Sequence, residues 1–377
     1  MSLISYLTRI HFADGVVEEA LAAELGELGI GRPLIVTDKG VAAAGLLERV
    51  EDALPASMTP VVFEGSPTKP SEAGAVTLAE LYRDRACDGL IALGGGTIID
   101  LVQVVALLVS HHGPLGAFAA AGGRLGLIRD VLPPVIAIPT TAGSGAEVVG
   151  GTGVALANGQ TLRLSSPYLI PKVAICDPTL TLSLPRALTA GTGMDALSHC
   201  IETFVATAYN PPADGIALDG IARATRYLER AVQDGRDLTA RREMMAAALD
   251  GALALQKGLG GVHAASHALG ALEGYQLHHG TLNAVLLPYM LEYNAPAVGD
   301  RYAAIRRAMG LGRRTDLADG LLRLTRRLGL PTSLGELGVD LAAVERAAPQ
   351  AEHDPANRTN PRRVRRDDYV ALMQAAL

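Results

Sequence analysis

Short apolar runs alternate with helical patterns up to about residue 185, and beyond it only helical patterns remain. Strand-length runs fall at 33–37, 59–63, 89–93, 135–138 and 173–176, with helical stretches over 16–28, 45–53, 71–85 and 98–109 between them. Such alternation predicts parallel strands, because each return to the sheet passes through a covering helix. One interruption stands out: 153–156 and 161–164 flank Ala157-Asn158-Gly159-Gln160, whose Asn-Gly pair predicts a hairpin. After Pro185 helices are expected over 187–205, 213–230, 238–255, 262–272 and 282–293. The chain thus reads as an α/β N-terminal domain with a parallel sheet, residues 1–185, followed by an all-α C-terminal domain, residues 186–377. Residues 354–366, rich in Arg, Asn and Pro, read as an exposed segment before a last short helix.

At 377 residues, two domains are expected on size alone. A net charge of -6 with no basic run argues against nucleic acid as a partner. The longest apolar run, near 104–109, is far too short to span a bilayer, so no membrane partner is expected. Cys87, Cys176 and Cys200 are odd in number and far apart, which predicts reduced thiols. The first thirty or so residues lack a signal pattern, and a cytoplasmic location is expected.

Leu90-Ile91-Ala92-Leu93 runs directly into Gly94-Gly95-Gly96-Thr97-Ile98-Ile99-Asp100. Glycines at a strand-to-helix turn allow close backbone approach, and the helix start offers N–H groups to anionic oxygens. By itself the run fits a tight turn equally well. A second loop, Pro139-Thr140-Thr141-Ala142-Gly143-Ser144-Gly145-Ala146-Glu147, follows another strand end, where open α/β sheets bind ligands. Together the two loops favour a Rossmann-like dinucleotide domain. Asp38 ends the first strand run; there it could accept hydrogen bonds from ribose hydroxyls and repel a 2′-phosphate, favouring NAD with NADP as the alternative. Gly191-Thr192-Gly193-Met194-Asp195-Ala196 also fits GxGxxA, but it follows a helical region rather than a strand. Close approach around Asp195 is its better explanation.

Five of the nine histidines lie between His199 and His279. Asp195 and His199, and again His263 and His267, are four apart and share a helix face. Stray polar groups in helices this rich in alanine and glycine are costly, and a metal would satisfy them. The expected ligands are Asp195, His199, His263 and one of His278 or His279. One carboxylate with three imidazoles suits Fe²⁺ or Zn²⁺ alike. An ion with an open position would polarise a carbonyl or stabilise an alkoxide, and with nicotinamide nearby the natural reaction is hydride transfer.

In order and spacing, the motifs at 94–100, 139–147, 177–185, 193–199 and 258–283 resemble those of the iron-containing (group III) alcohol dehydrogenases, relatives of glycerol dehydrogenase and maleylacetate reductase. The resemblance implies a metal-dependent NAD(P) alcohol dehydrogenase or aldehyde reductase, with hydride passing between nicotinamide C4 and an alcohol or carbonyl. It implies Asp195, His199, His263 and His279 as ligands, His279 because the family's last ligand directly precedes a glycine, here Gly280. It implies catalytic work for His267 beside the nicotinamide, pyrophosphate contacts for Gly95, Gly96 and Thr97, a cofactor channel lined by Thr140, Thr141 and Ser144, and a ribose contact for Asp38. Fe²⁺ with Zn²⁺ as the alternative, NAD, a small alcohol or aldehyde substrate and a homodimer or larger homo-oligomer complete the expectation.

The chain departs from the family pattern at Gln103 and Thr161, where lysine is usual, and at Val149, where threonine is common. Gly150 and Gly151 replace bulkier positions, which suggests room for substrate. Two other oxidoreductase or lyase readings compete. A maleylacetate reductase often lacks the metal, whereas all four ligand positions are occupied here. A dehydroquinate-synthase-like lyase would lead its ligands with glutamate and carry a lysine-rich phosphate pocket, and lysine is scarce in this chain. A metal-binding protein without catalysis would leave the glycine loop unused.

Overall fold

The computed structural model describes residues 4, 6–65, 70–119, 127–157 and 160–377. They form two compact units: Tyr6–Thr141 with Gly145–Ser183, and Leu184–Leu377 with the short piece Ala142–Ser144.

The first unit holds a six-stranded parallel sheet in the order β1-β8-β5-β4-β2-β3. Its strands are β1 (Arg9–Phe12), β2 (Pro33–Thr37), β3 (Val61–Glu64), β4 (Gly89–Gly94), β5 (Val135–Pro139) and β8 (Val173–Cys176). The helices are α1 (Val16–Glu27), α2 (Lys39–Ala43), α3 (Leu46–Asp52), α4 (Glu72–Asp84) and α5 (Gly96–Ser110). Strand side chains alternate between two apolar cores. Leu34, Val36, Leu90 and Ala92 pack with α4 and α5 residues such as Leu78 and Val102. Ile35, Ile91, Leu93, Ile136 and Ile138 pack with Leu21 of α1 and Val50 of α3. Burial on both faces explains why these strands read as continuous apolar runs.

Strand β3 starts two residues later than the pattern at 59–63 suggests. Edge strand β1 is absent from the sequence reading, because Arg9 and His11 break its apolar character. Outside the main sheet, β6 (Gly151–Ala155) pairs antiparallel with β7 (Thr161–Ser165). The expected turn residues Asn158 and Gly159 lie outside the described residues.

The second unit is helical: α6 (Arg186–Val205), α7 (Pro211–Gln233), α8 (Leu238–Ala254), α9 (Gly261–Gly270), α10 (His279–Asn294), α11 (Arg301–Ala308), α12 (Leu317–Arg327), α13 (Leu341–His353) and α14 (Arg366–Ala375). The GxGxxA stretch is an internal part of α6. A Cβ on Gly193 would fall 2.1 Å from Leu228 of α7, and one on Gly191 2.7 Å from the His278 ring. The glycines let α6 lie close to its neighbours.

Residues 354–366 are only partly the exposed segment their composition suggests: Pro355, Arg358, Arg362, Arg363, Arg365 and Arg366 are exposed. Ala356, Asn360 and Val364 are buried. Asn360 Oδ1 accepts the Gly261 amide at 3.0 Å, at the start of α9, and Asn360 exchanges hydrogen bonds with Asn294. Its polar groups face buried backbone and amide partners instead of water.

Candidate metal and dinucleotide sites

In the sheet unit, β4 ends at Gly94 and α5 begins at Gly96 without a side-chain cap. A Cβ on Gly94 would sit 2.5 Å from Ile98, and one on Gly95 3.2 Å from Thr141. The Thr140 amide donates to the Gly94 carbonyl at 3.1 Å, which ties the second loop to the first. Gly95, Gly96, Thr97, Thr140 and Thr141 therefore gather at the carboxyl ends of β4 and β5, where an uncapped helix start suits an anion. Ser144 groups with the helical unit. Asp38 caps α2, with Oδ1 accepting from Gly40 and Val41 amides at 2.8 and 3.0 Å. Buried Gln103 donates to the carbonyls of Val149 at 2.7 Å and Ala146 at 3.3 Å, so it ties down the turn where the family's lysine would carry charge.

In the helical unit, the four-residue spacing on α6 brings Asp195 and His199 to one face, with His199 Nδ1 4.0 Å from Asp195 Oδ1. From α9, His263 Nε2 lies 3.7 Å from the same oxygen, and from the first residue of α10 so does His279 Nε2. One carboxylate oxygen thus has three imidazole nitrogens around it. Bonds of about 2.1 Å to a tetrahedral ion separate ligand atoms by about 3.4 Å. Asp195, His263 and His279 each offer a ligand atom within 4.8 Å of the others, whereas His199 falls outside that group and stands 4.0 Å from the carboxylate. His199 Nδ1 is buried and has no hydrogen-bond partner. An orphaned buried nitrogen aimed at a buried carboxylate is what a metal would satisfy, and the residues present fit such an ion. His278 turns away and caps α10, its Nδ1 3.4 Å from the Thr281 amide.

Burial alone would raise the Asp195 carboxyl, but the surrounding histidines hold it well below the usual range. His199 is lowered to about 4, chiefly by burial. Burial also pulls on His263, yet the Asp195 and Glu202 carboxylates on either side of it outweigh it and raise the ring to about 9. The His199 and His263 rings stack with centroids 4.4 Å apart, and His267 stacks on His279 at 5.1 Å. His267 Nδ1 lies 3.1 Å from Asp354 Oδ2.

Three members of this cluster escape the sequence reading. Asn283 Nδ2 donates to Asp195 Oδ1 at 2.7 Å and lies 3.2 Å from His263 Nε2. Glu202 meets His263 from the opposite side. Asp354 comes from the segment expected to be exposed. Only Glu202 left a signal, as the seventh residue after Asp195 and hence on the same helix face.

A glycine-loop parallel sheet and a carboxylate–imidazole centre define a metal-type oxidoreductase acting on small alcohols or carbonyls. The comparisons supply the family. Residues 8–178 match the iron-containing alcohol dehydrogenase model, and residues 189–377 match the Fe-containing alcohol dehydrogenase family, C-terminal, model. The chain belongs to the iron-containing alcohol dehydrogenase family and is an enzyme of the alcohol dehydrogenase/aldehyde reductase kind. It is 47% identical to a 4-hydroxybutyrate dehydrogenase of Cupriavidus necator, with 100% of both chains covered. An alcohol dehydrogenase from Oenococcus oeni superposes with a TM-score of 0.93 at 30% identity, covering 100% of each chain. A sulfoacetaldehyde reductase from Bifidobacterium kashiwanohense in complex with NAD+ gives 0.90 at 26% identity, covering 100% of this chain and 98% of that one. Among the described residues no helix is long and apolar enough to cross a membrane.

Proposed function

We propose that the protein is an NAD-dependent, Fe²⁺-type dehydrogenase of a small ω-hydroxy acid, with 4-hydroxybutyrate as the first candidate, and that Zn²⁺ can stand in for the iron. The observation that carries the metal reading is Asp195 Oδ1 with imidazole nitrogens at 3.7, 3.7 and 4.0 Å. The ligands in this reading are Asp195, His199, His263 and His279. Full-length 47% identity to the 4-hydroxybutyrate dehydrogenase supports the substrate.

Bound there, the ion supplies Lewis acidity to the substrate oxygen, and NAD takes or returns the hydride. The chain's own residues do the rest. Asn283 holds Asp195 in place through its 2.7 Å hydrogen bond. His267, steadied by Asp354, takes the hydroxyl proton as the alcohol is oxidised. Gly95, Gly96 and Thr97 receive the pyrophosphate at the start of α5, Thr140, Thr141 and Ser144 line the cofactor's path, and Asp38 meets the adenosine ribose. The division into cofactor-binding residues 1–185 and metal-binding residues 186–377 belongs to the same reading.

The three cysteines are buried free thiols, which supports a reducing, cytoplasmic setting. Edge strand β1 follows the exposed Tyr6 and Leu7, which supports a homodimer, and light scattering would test it. For the activity, the protein is loaded anaerobically with Fe²⁺ or Zn²⁺ and NADH absorbance is followed with 4-oxobutanoate and with butanal. Faster turnover of 4-oxobutanoate is expected. Turnover of butanal alone removes the hydroxy-acid substrate, and turnover of neither removes the reading altogether.

A further inference from the structure

Asp195, His199 and Glu202 stand at i, i+4 and i+7 on one face of α6. The Glu202 side chain is only 3% exposed. Oε2 accepts from His263 Nδ1 at 2.6 Å and from the His263 amide at 3.2 Å, while Oε1 accepts the Val262 amide at 2.7 Å. Helix α9 begins at Gly261 with Gly260 as a cap that has no side chain to offer. Glu202 fills that role from another helix and puts a negative charge at the positive end of α9. A Cβ on Gly260 would come within 2.5 Å of Oε1, so a glycine there permits the approach.

We propose that Glu202 is the positioning residue for His263, a role that rests on the ligand set proposed above. A histidine that ligates a metal is neutral, with one N–H and one lone pair. An ionised carboxylate can only accept, so Glu202 takes the N–H at Nδ1 and leaves the lone pair on Nε2. Nε2 is the nitrogen 3.7 Å from Asp195 Oδ1. The same carboxylate fixes the backbone from which His263 projects, so ring orientation and tautomer are set together. Helix α6 therefore supplies two ligands directly and controls a third through Glu202.

Glutamine at 202 keeps the shape but turns one acceptor into an NH₂ group facing N–H donors. The probe is Zn²⁺ itself, with affinity measured by chelator competition at alkaline pH, where protons compete little for the rings. E202Q is expected to fold, by circular dichroism, and to bind Zn²⁺ roughly 10- to 100-fold more weakly than wild type. Unchanged affinity in a folded E202Q overturns the positioning role. Should E202Q fail to fold, wild-type protein carrying ¹⁵N-histidine and Zn²⁺ decides by NMR. A His263 ring with metal on Nε2 and a slowly exchanging proton on Nδ1 supports the proposal; metal on Nδ1, or no proton there, overturns it. Wild-type protein that binds no Zn²⁺ at all overturns the ligand set and this role together, whereas Zn²⁺ binding that E202Q leaves unchanged overturns the role alone.

Discussion

Gly280 meets the backbone of Gly191 so closely that a Cβ on residue 280 would lie 2.0 Å from the Gly191 carbonyl oxygen. The same Cβ would be 3.0 Å from Asp195 Cβ, and the neighbour of Gly280 in sequence is His279. Two facing glycines thus set how near the start of α10 comes to the Asp195 carboxylate. Gly280→Ala must push α10 off α6, at a cost of about 1–3 kcal/mol. A lowered Tm together with weakened Zn²⁺ retention is expected from melting and metal analysis. A lowered Tm with full metal affinity would separate this contact from the metal centre.

Adjacent histidines should respond differently. His279→Ala should release the metal, since its Nε2 is one of the three nitrogens around Asp195 Oδ1. His278→Ala removes only a helix cap and should cost about 1 kcal/mol of stability with the metal retained. Metal analysis of both purified variants checks the pair, and the reverse pattern would reassign the ligand.

For His267→Ala, turnover should fall roughly 10²- to 10⁴-fold while the metal stays bound, the range for loss of a proton-transfer group. Asp354→Asn should show a smaller loss in the same direction, because it holds Nδ1 of that ring. Single-turnover NADH formation in both variants measures this, and an undiminished rate in His267→Ala removes the residue from proton transfer.

Burial raises the Glu147 carboxyl from 4.5 to about 7. Its neutral form is therefore the one the folded state favours. The stability it contributes is full below pH 4.5 and is lost as pH rises towards 7, by about 3 kcal/mol in all. Glu147→Gln, which stays neutral, should melt higher than wild type at pH 8 and no higher at pH 4.5. Parallel melting curves at both pH values settle the point; a difference independent of pH would mean that folding does not raise the Glu147 carboxyl.

Asp38 both caps α2 and carries the charge proposed to disfavour a 2′-phosphate. Serine keeps a capping oxygen without the charge. Asp38→Ser should raise the ratio of NADPH to NADH use with little change in Tm. An unchanged ratio takes Asp38 out of the ribose site.

The parallel sheet was legible because strands buried on both faces must be continuously apolar, and the metal cluster because polar residues four apart in an apolar helix need a reason to be there. What escaped was written in residues whose ordinary place is the surface. Edge strand β1 contains Arg9 and His11 and lacks a run. Asn360 looks like loop composition, although its amide is spent inside the unit on Gly261 and Asn294. Glu202 shares the Asp195 face of α6, but its partner His263 is distant in sequence, and Asp354 meets His267 from a segment with no local pattern to announce it.

Helix α6 carries Asp195, His199 and Glu202 along a single stripe, and that geometry limits how the chain can change length. One residue inserted between 195 and 202 would turn everything beyond it by about 100°, carrying Glu202 away from His263. Every residue from Asp195 to Glu202 is buried, so a substitution there must fit its neighbours but keeps the stripe in phase, whereas insertions and deletions within those two turns do not. Variation in chain length can therefore collect in the connections between helices, while the count of residues from Asp195 to Glu202 stays fixed.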